Sequence, residues 1–343
     1  MILDKEPEIS VIIPTRNREE ILSMSLRSIL NQDYPANKYQ VIIVDNAPRA
    51  KTEALVNELQ KQTQTRLIYL SETKPGPAAA RNLGIKHARS RLILFIGDDC
   101  IADRSLVDKH VACHKTYSEE NIAMLGYTTW HRKLHVTAFM HWLEHGGLQF
   151  DYDMLKDGDI ADTFYTSNVS FKLDFILNNN GFFDEDFPYA AYEDTELAYR
   201  LQSKGLRILF QRNAVAYHFH PTTLHDYCYR VMETGKSALI LRKKIPPIIS
   251  KGSQCNRQKR LVQCMLRQKH ARALVSWLAK VASKLDQIGL LNVVSKLDQN
   301  GVKPPKICYR GILMIYYMRG MEMVVQLSLL LWENTDNNDF YAE

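Results

Sequence analysis

Apolar positions along the first two thirds of this chain follow two alternating patterns. Short unbroken runs occupy residues 9–14 (I-S-V-I-I-P), 40–44, 66–70 and 92–96. Runs of this length predict strands buried on both faces. Between them apolar residues recur at helical spacing: Leu22, Leu26, Ile29 and Leu30, then Leu55, Val56 and Leu59. That spacing predicts amphipathic helices. Segment 78–88, with A-A-A-R-N-L-G, and segment 105–117 extend the helical pattern, and 123–127 reads as a further strand. Strands alternating with helices of ten or more residues predict βαβ units, hence an α/β, Rossmann-like, mostly parallel sheet flanked by helices. Such sheets bind ligands at the carboxyl ends of their strands. The loops at 15–18, 45–46 and 98–99 therefore share one rim.

Further along, the pattern loosens. Residues 130–160 carry Trp130, His131, His135, Phe139, Trp142, His145 and Phe150 without a clean period. They read as mixed helix and loop over the rim, serving either to stack on a sugar or base or as a satellite hydrophobic cluster. A strand is expected at 165–171, then an acidic, aromatic loop at 181–188. A helix begins near Ala191 and stops at Gly205, and short strands follow at 208–210 and 214–217. Beyond Pro221 the alternation ceases, which predicts a boundary between 1–221 and a helical region, 222–343. There, helices are expected at 225–244 and 257–281, and V-x-S-K-L-D-Q occurs twice, at 281–287 and 293–299. Residues 311–332 are strongly apolar but broken by Arg319, Glu322 and Gln326. A membrane span wants about 20 residues with few charges, so a buried or interfacial helix is expected.

Charge sharpens this division. The net charge is +6, yet residues 234–285 hold thirteen Lys and Arg and no Asp or Glu, which leaves the remainder acidic. A basic C-terminal region predicts an anionic partner. Its aromatics are not interleaved with the basic residues, which argues against nucleic acid. Peripheral membrane contact, or a solvated face packed on the first domain, are the two readings. Six scattered cysteines without a C-x-x-C pair argue against a disulfide framework or zinc site. With no apolar leader pattern around Asp4, Lys5 and Glu6, the expected location is cytoplasmic, peripheral at the inner membrane face if the basic helices dock there.

The candidate chemistry lies where apolar runs stop at acids. Residues 92–96 end at Gly97-Asp98-Asp99, and 40–44 end at Asp45-Asn46. Two acids at a strand end suit a hard divalent cation, which takes oxygen ligands. They equally suit a plain turn. Asp99 is the candidate ligand, with a second from His218 or His220. Asp45 is placed to accept from a base N–H, or merely forms a turn. Asp194 or Glu193 is placed to take a proton from a hydroxyl, or merely complements a helix dipole. Taken together with Arg81, these residues suit a nucleotide diphosphate held through a metal.

The ordered blocks S-V-I-I-P-T-R-N-R, V-I-I-V-D-N, G-P-A-A-A-R-N-L-G-I, L-F-I-G-D-D-C, Y-E-D-T-E-L-A-Y-R-L and Y-H-F-H-P resemble a family 2 glycosyltransferase over residues 8–221. The resemblance implies a GT-A fold, with 1–221 as catalytic domain, and a metal-dependent, hexosyltransferase-type enzyme. It implies a nucleotide-diphosphate sugar donor, usually UDP-linked, a Mg²⁺ or Mn²⁺ ion and inversion. Bacterial polysaccharide or envelope glycan synthesis, on a glycan or lipid-linked acceptor, is the implied setting. Carried over, Pro14, Thr15 and Arg16 meet the nucleotide, Asp45 reads the base, and Arg81 and Asn82 lie near base and diphosphate. Asp98 and Asp99 fall in the D-x-D region, Asp99 being the metal ligand. Asn168 lies near donor sugar and acceptor, Asp194 is the general base, and His218 is the late metal-site histidine. Gly97 stands where the first acid of D-x-D is usual, and Asp45-Asn46 replaces the commoner pair of aspartates. A non-catalytic sugar-nucleotide or carbohydrate-binding module is the alternative. A nucleotidyltransferase would want a Gly-rich loop after the first strand, which Thr15-Arg16-Asn17-Arg18 lacks.

Overall fold

The computed structural model describes residues 6–145, 149–150, 152–245 and 289–336. The elements are β1 (Ile9–Thr15), α1 (Glu19–Leu30), β2 (Tyr39–Asp45), α2 (Ala50–Gln60), β3 (Arg66–Ser71), α3 (Pro77–His87), β4 (Leu92–Ile96) and β5 (Cys100–Ala102). They continue with α4 (Leu106–Thr116), β6 (Ile122–Trp130), α5 (Ala138–His145), β7 (Ile160–Ala161), β8 (Asn168–Lys172), α6 (Leu173–Asn178), α7 (Glu193–Gln202) and β9 (Arg207–His218). The last three are α8 (Leu224–Lys244), α9 (Leu290–Gln299) and α10 (Lys306–Asp336). The chain divides into two units, residues 1–135 with 143–221, and residues 136–142 with 222–343.

The first unit is built on a sheet ordered β3-β2-β1-β4-β8-β6-β9-β5, with β7 paired to β9. The ladders β1–β2, β2–β3, β1–β4 and β6–β9 are parallel. Those of β8 with β4 and β6, and of β5 and β7 with β9, are antiparallel. Successive residues of a strand face opposite sides, so the unbroken apolar runs feed two cores. Ile12, Ile42 and Phe95 join Ala80, Leu197 and Leu201 on one face. Val11, Ile13, Val41 and Leu94 join Leu22, Leu26, Val56 and Val107 on the other. This is the expected α/β sheet flanked by helices.

Later strands depart from expectation in informative ways. Strand β8 starts at Asn168 rather than 165, because Asn168 N donates to Tyr165 O in a turn (3.1 Å). The two strands expected at 208–210 and 214–217 are one strand, β9. Its pairing with β6 jumps from Gly126↔Gln211 to Tyr127↔Val215, so residues 212–214 bulge out. Helix α6 was not anticipated, because its apolar residues follow β8 without a break.

In the second unit, α8 and α10 approach at glycines: a Cβ on Gly320 would collide with Met232 O, and one on Gly235 with Tyr317 O. Helix α10 buries Tyr309, Ile312, Leu313 and Met318. No helix among the described residues is long and apolar enough to cross a membrane. The helix expected at 257–281 and the first copy of the duplicated heptapeptide lie outside the described residues.

Two histidines of α4 lie against β8. His110 is fully buried, with its ring nitrogens 2.7 Å from Ser170 Oγ and 2.8 Å from Asn168 Oδ1. His114 Nε2 lies 2.9 Å from Ser170 Oγ. Burial lowers His110 to about 4 and His114 to about 3, the latter helped by the Lys172 charge. A base with a lowered folded-state pKa contributes stability that is complete above its unfolded value, about 6.5, and lost as the pH falls towards the folded value. Unfolding free energy should therefore fall between pH 6.5 and 4.5, by roughly 2–3 kcal/mol per histidine. Denaturant midpoints across that range should show the drop, and it should be shallower in His110→Gln. A flat wild-type profile would refute the neutral, buried assignment.

Candidate active site

The register of the sheet builds the site. Thr15 and Asp45 stand side by side at the ends of β1 and β2. Pro14 lies past Ile12↔Phe95, where the β1–β4 ladder ends, a tolerable position for a residue without an N–H. Strand β4 ends at Ile96, the turn 97–99 follows, and β5 runs antiparallel to β9 with Cys100 opposite His218. That pairing brings residues distant in sequence together. His218 Nε2 lies 3.4 Å from Asp99 Oδ2, and Phe219 N donates to Asp99 O at 2.7 Å.

Five side chains, Thr15, Arg18, Asp98, Asp99 and His218, cluster here. Thr15 Oγ1 donates to Asp98 Oδ2 (2.9 Å), and Arg18 Nη1 donates to Asp98 Oδ1 (3.1 Å) and Asp99 Oδ2 (2.8 Å). Burial and the neighbouring Asp99 charge push the Asp98 carboxyl up to about 6. Burial acts on Asp99 the same way, but the His218 imidazole and the Arg18 guanidinium outweigh it and hold Asp99 well below the usual carboxylate range. His218 is buried among Trp130, Phe150 and His220, with ring centroids 5.2, 5.4 and 5.9 Å away. Its Nδ1 is buried without a hydrogen-bond partner. Gly97 is half-buried, and a Cβ there would lie 2.9 Å from Asp99 Oδ1 and 3.1 Å from Cys100 Sγ. A side chain in the usual first position of D-x-D would thus displace the Asp99 carboxylate.

The donor set, two carboxylates and an imidazole, suits a hard divalent cation. Arg18 is the positive charge that sits between the two acids. Among the described residues no group of three or more His, Cys, Asp and Glu is already arranged to hold a metal. Arg18 is the residue that the sequence reading passed over in favour of Arg16, which is exposed. Nothing in T-R-N-R separates the two except the fold of the turn, where Asn17 takes φ 57°.

Asp45 is fully buried. It accepts from Ala47 N (3.1 Å), Arg49 N (3.2 Å) and Tyr69 Oη (3.1 Å), so it holds its own loop. Burial and the Asp45 charge push the Tyr69 hydroxyl up to about 12. A cleft of about 610 Å³ beside this loop is lined by Arg49, Glu53, Tyr69, Leu83 and His87 among others, and by none of the predicted site residues. The acid cluster, where charge is concentrated, is the stronger candidate.

A second constellation joins α3 to α7. Arg81 Nη1 donates to Glu193 Oε1 at 2.8 Å, with side chains 9% and 3% exposed. The Arg81 guanidinium also stacks 5.2 Å from the Phe183 ring centroid. Asn82 donates to Phe183 O (2.9 Å) and Glu185 Oε1 (2.7 Å) and accepts from Phe183 N (2.8 Å). Glu193 thus forms a buried ion pair with Arg81 through one carboxylate oxygen. Arg81 and Asn82 fasten the 183–185 loop and the start of α7 rather than reach outward. Asp194 follows Tyr192, whose φ is 71°. It is half-buried in the first turn of α7, where its Oδ1 accepts from Thr195 N at 2.8 Å.

Asn168 also departs from expectation. It is fully buried. Its amide donates to Tyr127 O (3.2 Å) and Ala214 O (2.9 Å), and its Oδ1 lies against His110. Every polar atom faces the interior, so it does not lie open to a donor sugar. His110 and His114, its neighbours along this face, were missed. The available signal was a pair of histidines at i, i+4 facing a strand with polar residues at every second position.

Residues 10–128 match the family model described as Glycosyl transferase family 2. Over 282 residues the chain is 24% identical to a chondroitin synthase of Pasteurella multocida, a match covering 73% of this chain and 28% of that relative's length. The fold is similar to the mannosyltransferase PcManGT from Pyrobaculum calidifontis in complex with GDP-Man and Mn²⁺, with TM-score 0.57, 18% identity, and 93% and 87% of the two chains covered. It is also similar to S. aureus TarS 1–349 in complex with UDP, with TM-score 0.52, 17% identity and 93% and 91% covered. The resemblance to family 2 glycosyltransferases holds, and the fold is GT-A.

Breaking one side of a buried ion pair leaves an uncompensated charge and costs about 3–5 kcal/mol. Arg81→Ala should lower stability by about that amount in chemical denaturation, and Glu193→Gln by less. Arg81→Ala with wild-type stability would show that the pair does not hold α7.

Proposed function

We propose that this chain, on its family 2 glycosyltransferase framework, transfers a sugar with inversion from a nucleotide-diphosphate donor, UDP-linked, to an acceptor hydroxyl of a glycan or lipid-linked acceptor. Polysaccharide or envelope glycan synthesis is the proposed setting. The observation that carries the reading is the cluster of Asp98, Asp99, Arg18 and His218 at the rim of the sheet. It supplies oxygen and nitrogen donors to a cation and, in Arg18, a positive group for a phosphate.

In this reading Asp99 holds a Mg²⁺ or Mn²⁺ ion with His218, and His220 stands beside them. When bound, that ion neutralises the charge of the departing diphosphate. Asp98 and Thr15 hold each other and present to the ribose side, with Pro14 and Arg16 along the same edge. Asp45, fully buried, acts by fixing the loop that would face the base. Asp194 is the general base: it accepts the proton of the acceptor hydroxyl as that oxygen attacks from the face opposite the diphosphate. Arg81, Asn82 and Glu193 hold the start of α7, and so Asp194, in place. The basic C-terminal helices, much of whose charge lies outside the described residues, are the proposed route of peripheral membrane contact with a lipid-linked acceptor.

Comparable relatives support the donor class: TarS is described with UDP and PcManGT with a sugar nucleotide and Mn²⁺. A panel of sugar nucleotides scored for thermal stabilisation with and without Mn²⁺ identifies the donor, because a ligand that binds only the folded state raises its melting temperature. With that donor, Asp194→Asn should cut kcat about 10²–10⁴-fold while leaving donor stabilisation within about twofold of wild type. Undiminished transfer in Asp194→Asn would remove it as the base.

A further inference from the structure

A line of polar side chains runs through the interior from Lys172 to the bulge of β9, and its hydrogen bonds have one direction. Lys172 Nζ has only protons to give, and it lies 3.4 Å from His114 Nδ1, which must accept. His114 then carries its proton on Nε2 and donates to Ser170 Oγ (2.9 Å). The Ser170 hydroxyl proton goes to His110 Nδ1 (2.7 Å), so His110 Nε2–H donates to Asn168 Oδ1 (2.8 Å). The other end agrees independently. The Asn168 amide faces two carbonyls, Ala214 O and Tyr127 O, and must present its NH₂ to them and its oxygen to His110.

The end of this line is the place where β9 changes register. Residues 212–214 bulge between Gln211, opposite Gly126, and Val215, opposite Tyr127. Ala214 O, at the bulge, and Tyr127 O, just across from it, are the two acceptors of Asn168. A Cβ on Gly126 would collide with the Asn168 amide and with Ala214 O, so glycine is what lets the amide reach across. After the bulge, β9 runs Val215–His218 between β6 and β5, with His218 opposite Trp130 and Cys100. A one-residue slip turns every side chain of a strand to the other face. It would carry His218 away from Asp99.

We infer that Asn168, held by the Lys172–His114–Ser170–His110 donor line and admitted by Gly126, is a positioning residue that locks the β9 bulge and thereby sets His218 against Asp99. The inference rests on the reading of Asp99 and His218 as the cation site, but its placement of His218 can be judged without any metal.

The test uses the full chain with ring-labelled histidine, Asn168→Ala as main variant and Ser170→Ala, which cuts the line without touching the bulge, as the second. Leu59→Ala, on the buried face of α2, is the control for stability loss alone. The His218 ring C–H resonance is read at fixed pH, and Mn²⁺ affinity is measured directly by the loss of the free-ion paramagnetic signal. Outer groups that orient metal ligands typically contribute about 10–100-fold in affinity. Asn168→Ala should shift the His218 resonance and weaken Mn²⁺ binding at least tenfold, Ser170→Ala should do the same to a smaller extent, and Leu59→Ala should change neither. A wild-type His218 resonance in both Asn168→Ala and Ser170→Ala, or an equal shift in Leu59→Ala, overturns the inference. If Asn168→Ala does not fold, Ser170→Ala decides alone. Absence of Mn²⁺ binding in the wild type would count against the cation reading instead, and the resonance would still decide the positioning.

Discussion

Two carboxylates side by side in a partly buried turn repel one another, and burial penalises each charge. Asp98 and Asp99 are held together by groups brought from two other parts of the chain, the Arg18 guanidinium after β1 and the His218 imidazole at the end of β9. The asymmetry of the pair follows from where those partners sit. Asp99 is touched by both and stays ionised, while Asp98, with Thr15 and a share of the same guanidinium nitrogen, is pushed up. An arrangement that holds an arginine between two acids also suits a small divalent cation, and Arg18, more exposed than either acid, is the member free to leave.

The sheet serves this constraint. Parallel strands β1, β2 and β4 end at one level, which presents Thr15, Asp45 and the 97–99 turn together. The antiparallel return of β5 against β9 adds the histidine. Buried polar contacts then hold these ends: Asp45 its own loop, Asn82 and Arg81 the loop and helix that carry Asp194. Such contacts contribute little net stability when complete and cost much when broken. Their effect here is to fix positions.

Much of this was legible in the chain. The apolar runs at 9–14, 40–44 and 92–96 gave strands within a residue or so, because strands buried on both faces are apolar at nearly every position. Acids at the ends of two of those runs marked the rim. What could not be read were roles decided by pairing across the fold. Glu193 and Asp194 are neighbours with the same chemistry, and only the fold shows that Glu193 is the one paired with Arg81. Arg16 and Arg18 differ only in the turn between them. Asn168 resembles a ligand contact until its three partners are seen. The bulge in β9 appeared as a gap between two short strands, since Gln211, Arg212 and Asn213 carry no apolar signal.

The most direct test is diffraction from crystals of the chain grown with UDP and Mn²⁺, with data collected at the manganese absorption edge. The account predicts an anomalous peak bonded to Asp99 and His218 and shared with the diphosphate, with the Arg18 guanidinium withdrawn from between the acids. UDP bound with manganese elsewhere, or with Arg18 still bridging Asp98 and Asp99, would contradict it.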